Sequence, residues 1–317
     1  MRALVTGGAG FIGSNLVDAL LDGGDEVSVI DNLSTGREVN LNGAIERGAV
    51  LHRADIREAE TMNEIVAADA PECIFHLAAQ IDVRHSVTDP AHDARINVEG
   101  TCNMLEAARR AGCGRVVMAS TGGAIYGETD VLPTPEDTPP KPLAPYGMSK
   151  FCAERYCQLY EGLFDLSTVT LRYGNVYGPR QDPLGEAGVV AIYCGCLRDG
   201  STPIVYGDGR QTRDYVFVGD VVAANLAALA HPEAHEEFNI GHGLETSVLD
   251  LVDVMKSLAD GAPFEPVFEP PRLGEVQRSC LDVSRAATEL GWKPTTDLLE
   301  GLELTLAAAN AEAQAAA

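Results

Sequence analysis

The first half of the chain alternates short β-branched and aliphatic runs with longer segments whose apolar positions recur every three or four residues. The runs at Ala3–Thr6, Glu26–Ile30, Val50–Arg53, Cys73–Leu77, Arg115–Ser120 and Ser167–Arg172 read as strands. Between them Phe11–Leu21, Glu58–Ala68, Arg95–Ala111 and Tyr146–Leu163 carry helical periodicity. That alternation predicts an α/β fold, a doubly wound parallel sheet with helices on both faces. After Asn175 the pattern loosens into Pro- and Gly-rich stretches. A strand at "DYVFV", a helix over Asp220–Ala230, a strand at "EFNI" (237–240) and shorter C-terminal helices follow. The low-complexity tail "AAANAEAQAAA" is expected to fray.

Composition narrows the partners. With 317 residues the chain can form one large domain or two. Asp and Glu outnumber Lys and Arg 47 to 23, a net charge of −24 that argues against nucleic acid and anionic membranes as partners. No apolar run reaches the length of a membrane span. "MRALVTGG" enters a strand at once, so no signal peptide and a cytoplasmic location are expected. Eight cysteines are scattered, and the pairs Cys152/Cys157 and Cys194/Cys196 lack a partner pair at zinc-site spacing. They read as free thiols, with no metal site. An anionic ligand would need local arginines to overcome the acidic field, which salt screens beyond ~8 Å.

The chemistry begins at "LVTGGAGFIGSNL", where Gly7, Gly10 and Gly13 lie between the first strand and the first helix. Glycines let the backbone approach a pyrophosphate whose charge sits at the helix N-terminus. Asp31, ending the second strand, can accept hydrogen bonds from the adenosine ribose hydroxyls and repel a 2′-phosphate, which favours NAD over NADP. The expected architecture is therefore of Rossmann type, followed by a smaller mixed α/β C-terminal part, which the resemblance given below implies is a substrate-binding domain.

Downstream, "YGMSK" sets Tyr146 and Lys150 four apart on one helix face. A tyrosine is a poor base at neutral pH, but a neighbouring ammonium and a positive nicotinamide ring both favour its phenolate. "STGGAIYG" (120–127), after the fifth strand, is by itself either a tight turn that happens to carry hydroxyls or one that aims a hydroxyl at a substrate.

The TGxxGxxG spacing together with Tyr146 and Lys150 resembles the extended short-chain dehydrogenase/reductase family. "LRYGNVYGPR" (171–180), "TRDYVFVGD" (212–220) and "PRLGEV" (271–276) are similar to segments of its NAD-dependent nucleotide-sugar epimerases, most like the UDP-glucose (galactose) 4-epimerases. The resemblance runs from residue 1 to about residue 295. It implies an NAD site formed by Gly7, Gly10, Phe11, Ile12, Gly13, Asp31, Asn32, Asp55, Ile56, Leu77, Ala78, Ala79, Gln80, Asn97, Tyr146, Lys150 and Tyr173. A UDP-sugar is implied at Thr121, Asn175, Val189, Tyr206, Arg213, Arg272, Glu275 and Ser279, with the two arginines and Asn175 on the diphosphate. Residues 1–174, with 214–240 returning to them, would bind NAD. Residues 175–213 and 241–317 would bind the nucleotide sugar.

The resemblance also frames the departures. Related 4,6-dehydratases carry an Asp-Glu pair where this chain has Gly123 and Ala124, and decarboxylases keep a Glu there. Without a carboxylate, C5 chemistry has no evident base and 4-epimerisation through a transient 4-keto sugar remains, with Tyr146 as acid/base. Many 4-epimerases place the catalytic hydroxyl at the position of Gly122. Thr121 is the nearest hydroxyl here and is expected to take its role if the double glycine lets the loop shift. Ser120 is expected to end the strand and bond backbone or cofactor. Ser279 falls where a bulky residue excludes N-acetyl sugars, so UDP-GlcNAc and UDP-GalNAc are expected beside UDP-Glc and UDP-Gal. A homodimer built on the helices around Arg95–Ala111 and Tyr146–Leu163 is implied. The alternatives are a UDP-glucuronate 4-epimerase, another nucleotide-sugar reductase or decarboxylase on the same scaffold, or a non-catalytic NAD-binding protein.

Overall fold

The structure, a computed structural model, describes residues 1–183, 188–259, 261, 263–271 and 276–315. Strands β1 (Arg2–Thr6), β2 (Glu26–Ile30), β3 (Val50–His52), β4 (Cys73–His76), β5 (Arg115–Thr121) and β6 (Thr168–Tyr173) open the chain. Among them lie helices α1 (Phe11–Asp22), α2 (Asn42–Glu46), α3 (Ala59–Asp69), α4 (Val83–Thr88), α5 (Pro90–Ala94), α6 (Gly100–Ala111), α7 (Gly122–Ile125) and α8 (Pro145–Phe164). Then come β7 (Asn175–Tyr177), α9 (Val189–Asp199), β8 (Ile204–Tyr206), β9 (Thr212–Arg213), β10 (Tyr215–Phe217), α10 (Val218–Ala230) and β11 (Glu237–Ile240). The last elements are β12 (Thr246–Ser247), α11 (Val248–Ser257), β13 (Val267–Glu269), α12 (Ser284–Glu289) and α13 (Leu298–Ala315).

Seven parallel strands form one sheet in the order β11-β6-β5-β4-β1-β2-β3. The order reverses direction between β1 and β4, and it is at such a switch point that the strand ends leave a crevice for ligands. Because successive strand residues face opposite sides, each strand feeds two cores. Val5, Val29, Val117 and Leu171 pack with Leu16, Val17 and Leu20 of α1 and Val221, Ala224 and Ala228 of α10. Leu4, Ile30, Ile74 and Met118 pack with Met62 and Val66 of α3, Met104 and Leu105 of α6, and Ala153 and Cys157 of α8. This explains the near-continuous apolar strands. A third core of Tyr177, Tyr193, Val205, Leu251, Met255 and Leu302 belongs to the C-terminal elements, whose short sheets pair β7 with β10, β9 with β12 and β8 with β13. Among the described residues no helix is long and apolar enough to cross a membrane.

The structure departs from the sequence expectations in places that matter for the site. β5 runs one residue further, through Thr121, and the turn over "GGAI" is a single helical turn, α7. The helix expected over Arg95–Ala111 begins as a π-helical turn, Arg95–Glu99, before α6, and α4 and α5 precede it. The described part of the low-complexity tail is helical where the sequence predicts fraying. α13 continues to Ala315 and packs against α9, because alanine is the strongest helix former.

Candidate active site

The loop after β1 lies against the loop after β4. Gly7 has φ +71°, and a Cβ on it would meet the Ala78 backbone at 2.7 Å. A Cβ on Gly13 would strike the Gly7 carbonyl, so both glycines are required for this packing. They leave a side-chain-free cradle at the start of α1 with Gly10, Phe11 and Ile12, the shape a pyrophosphate needs. Asp31 is buried at the end of β2, with Oδ2 accepting from the Ala9 N–H at 2.9 Å and Oδ1 from the Leu33 N–H at 2.8 Å. A carboxylate has about four lone-pair sites, so capacity remains for ribose hydroxyls. Burial raises its pKa. Asn32 Nδ2 donates to Asp55 Oδ2 at 2.9 Å, and Arg57 forks onto both Asp55 oxygens, holding that carboxyl well below the usual range. Ile56 is buried beside it. These residues fit a dinucleotide.

Leu77, Ala78, Ala79 and Gln80 follow β4, and Asn97 fixes them from the π-helical turn. Asn97 Oδ1 accepts from the Gln80 N–H at 2.9 Å, and its Nδ2 donates to Gln80 O at 3.0 Å and Ser149 Oγ at 3.1 Å. A π-helical turn of this kind re-aims one side chain within a helix. Underneath runs a one-way chain of hydrogen bonds, not foreseen from the sequence. Ala78 N–H donates to Thr6 Oγ1, whose hydroxyl faces His76 Nδ1 at 2.8 Å. His76 Nε2 meets Thr101 Oγ1 at 3.1 Å, and Thr101 donates to Asn97 O. The donors at each end assign the proton to Nε2. Burial and the nearby Lys150 hold His76 neutral, its pKa pulled down to about 3.

Tyr146 and Lys150 sit in the first two turns of α8, which begins at Pro145 in the position where its missing N–H costs nothing. Lys150 is buried and its Nζ donates to Ala119 O of β5 at 3.0 Å. Burial pulls its pKa down to about 8, opposed by Asp93, Glu154 and Cys157. Burial pushes the pKa of the Tyr146 phenol up to about 12; the nearby Thr121 side chain works against that rise and Asp93 adds to it. The expected lowering by Lys150 is therefore not met in the protein alone, because desolvation dominates. Tyr173, at the end of β6, is buried with its hydroxyl donating to Asn225 Oδ1 at 3.0 Å.

The extra residue of β5 places Thr121, buried, at the end of that strand and directly before the α7 turn. The position of the absent serine is filled from elsewhere. A Cβ on Gly122 would lie 2.5 and 2.8 Å from the Leu281 methyls, so Leu281 takes that space. Ser120 departs from expectation as well. It does not end the strand, and its hydroxyl donates to Glu154 Oε1 at 2.6 Å rather than to backbone.

Glu154 anchors a buried network invisible to local sequence reading. Arg172 of β6 forks onto it, Nε to Oε1 at 2.9 Å and Nη2 to Oε2 at 2.7 Å. Arg172 Nη1 donates to the Tyr126 hydroxyl at 2.9 Å, which donates to Asn239 Oδ1 at 2.8 Å. Asn239 Nδ2 in turn donates to Thr134 O and Asp282 O.

On the substrate side, Gly174, Asn175, Val176, Tyr177, Gln181, Gly188, Val190 and Tyr215 enclose a cavity of about 200 Å³. Asn175 Oδ1 lies 3.6 Å from where a Cβ on Gly123 would stand, so the cavity adjoins the α7 turn. Val189 opens α9 beside it. Arg213, half-buried in β9, donates to Thr212 O at 2.8 Å. Asp214, also missed from the sequence, is fully buried and accepts from the N–H groups of His242, Gly243 and Leu281 at 2.6, 3.1 and 3.0 Å. That binds the "RDY" segment to the stretch of chain that carries Ser279 and Leu281. Ser279 is half-buried between Gln277, whose carbonyl accepts from the Thr212 N–H, and Leu281. Tyr206 ends β8, in register with Glu269 of β13. Arg272 and Glu275 lie outside the described residues.

A profile of the NAD dependent epimerase/dehydratase family matches residues 3–241. The chain belongs to that family, and its cofactor is NAD. It is 49% identical over 307 residues to the UDP-glucose 4-epimerase of Mycolicibacterium smegmatis, covering 96% of this chain and 97% of that one. The crystal structure of UDP-glucose 4-epimerase with UDP-glucose from Thermotoga maritima superposes with a TM-score of 0.95 at 46% identity, covering 99% and 100% of the two chains. A UDP-N-acetylglucosamine 4-epimerase from Methanobrevibacter ruminantium, solved with UDP-N-acetylmuramic acid, gives a TM-score of 0.92 at 29% identity, covering 98% of each.

Removing one partner of a buried ion pair leaves the other charge uncompensated. Glu154→Ala is expected to destabilise the protein by about 3–5 kcal/mol, read as a lower urea midpoint. An unchanged midpoint would mean that the fork contributes nothing to stability.

Proposed function

We propose that the chain is a nucleotide-sugar 4-epimerase that interconverts UDP-glucose and UDP-galactose and also accepts their N-acetylated counterparts. The observation that carries this is Tyr146 with Lys150 one turn along on α8 and Thr121 at the end of β5, beside an NAD cradle and with no carboxylate at 123 or 124. Relatives named as UDP-glucose 4-epimerases at nearly half identity support the substrate class. The half-buried Ser279 and the UDP-N-acetylglucosamine 4-epimerase neighbour support the wider range. In this reading NAD rests on residues 1–174 with 214–240, while 175–213 and 241–317 hold the nucleotide sugar, its diphosphate met by Asn175, Arg213 and Arg272 and its ribose by Glu275.

Bound NAD supplies reversible oxidation at C4 and a positive ring charge beside the phenol. Tyr146 takes the O4 proton during oxidation and returns it on reduction. Thr121 orients that hydroxyl and donates to the phenolate. Lys150, fixed on the Ala119 carbonyl, adds positive charge and faces the ribose side. The 4-keto sugar must present its other face before the proton comes back, and the cavity by Asn175 gives it room. On this account Tyr146→Phe lowers kcat by about 10²–10⁴-fold with NAD binding intact, and the native enzyme forms C4 epimers from both UDP-glucose and UDP-GlcNAc incubated separately. Turnover of the unacetylated pair alone would remove the wider specificity, and an active Tyr146→Phe would remove the mechanism.

A homodimer belongs to the same reading. Met148, Tyr156, Leu159 and Leu163 form an exposed apolar stripe along α8 at 38–64% exposure, with Val83 and Val87 of α4 beside it. Such a stripe at spacings of three, four and eight residues suits helix–helix burial against a second copy. Leu159→Glu is expected to halve the mass in sedimentation; a monomeric native protein would contradict the assembly.

A further inference from the structure

Asp93 stands out among the carboxylates around Tyr146 and Lys150, because no cation lies within ion-pair distance of it among the described residues. It is 1% exposed on α5, which packs against α8. Its Oδ1 accepts from Gln80 Nε2 at 2.9 Å and Asn97 Nδ2 at 3.2 Å, while its buried Oδ2 has no hydrogen-bond partner. Asn97 also donates to Ser149 Oγ, and the Ser149 hydroxyl donates to the Tyr146 carbonyl at 3.0 Å. Asp93 is thus two hydrogen bonds from the turn that joins Tyr146 to Lys150.

A buried anion without a counter-ion is costly, and Lys150 is the group that gains from it. Of the charges favouring the Lys150 ammonium, Asp93 acts most strongly, ahead of Glu154 and Cys157 on its own helix. Glu154 is already answered by the Arg172 fork. The Cys157 thiol is pushed far up by burial, and His76 on β4 stays neutral. Arg115 lies at the opposite end of β5, on the carbonyls of His231, Pro232 and Ala234. Of the remaining groups on elements against α8, Arg84, His85, Arg95, Glu99, Arg109 and Arg110 are exposed. His92 is half-buried, and Glu106 is tied to Arg109 and Arg110.

We propose, on the reading of Tyr146 and Lys150 given above, that Asp93 is a positioning residue that keeps Lys150 an ammonium and, through Asn97, fixes the turn that aims Tyr146. Removing its charge makes loss of a proton easier at both groups, so both limbs of the pH profile move the same way, toward acid. A purely structural residue would lower activity equally at every pH.

The chain has only four lysines, at 141, 150, 256 and 293, so lysine labelled with carbon-13 at Cε gives a spectrum in which Lys150 can be followed, assigned by its loss in Lys150→Met. In Asp93→Asn the Lys150 titration midpoint is expected to fall by about one unit. Both limbs of kcat/KM for UDP-glucose should shift acidward, with kcat at pH 8 down several-fold and KM nearly unchanged, and Asp93→Glu should restore the native profile. An unshifted Lys150 in folded, NAD-binding Asp93→Asn overturns the proposal, as does an equal loss at all pH values. Asp93→Ser serves as a second neutral variant; loss of the fold in both makes Asp93 a folding residue and also overturns it. Tyr146→Phe assayed alongside separates the two readings. An active Tyr146→Phe sinks the mechanism itself, whereas an inactive one with an unmoved Lys150 sinks only the role of Asp93.

Discussion

The site depends on one buried ion pair, the two-pronged contact of Arg172 with Glu154. Parallel strands fix where β5 and β6 end, but they do not fix how the covering helix is rotated about its axis. A turn of one residue, about 100° on a 3.6-residue period, would carry Tyr146 away from Thr121. The fork locks α8 to β6, and Ser120 adds β5 to the same carboxylate. Through Tyr126 and Asn239 the network continues to β11 and to the segments at Thr134 and Asp282. The Asp282 segment also carries Leu281, which fills the space beside Gly122. The ends of β5 and β6, α8, β11 and the segments at Thr134 and Asp282 are therefore held by one connected set of buried hydrogen bonds.

Electrostatics explains why the parts need one another. A chain of net charge −24 gives no long-range help to an anionic ligand, so charge at the site is arranged locally and in a dry environment, where each interaction counts for more. There the Tyr146 phenol is held up near 12 and the Lys150 ammonium down near 8, both by desolvation. On the proposed mechanism the phenol would become a useful base only when further positive charge arrives. Acid–base competence would then be tied to the loaded cofactor site, and His76, neutral in its hydrogen-bond chain, brings no competing charge.

Much of this was legible in the sequence. The glycine loop and Asp31 are local features with a local physical meaning, as is the i, i+4 relation of Tyr146 and Lys150, and the alternation of apolar runs predicts the parallel sheet. The missing carboxylates at 123 and 124 could be read as directly as any residue that is present. What stayed hidden is held by distant contacts. Asp93 lies in "DPAHDA", where nothing local marks it as buried before α5 packs on α8. Arg172 and Glu154 look like ordinary charged residues of a strand and a helix. The π-helical turn at Asn97 leaves no mark on apolar periodicity. The replacement of a serine by Gly122 makes physical sense only once Leu281, 159 positions later, is seen to occupy the gap.

The most direct measurement follows deuterium at C4. With UDP-[4-²H]glucose and no added nucleotide, the account predicts that the galactose epimer forms with its C4 deuterium retained and with no NADH released into solution. Loss of the label to solvent, or a requirement for added reduced cofactor, would contradict epimerisation by internal oxidation and return at C4.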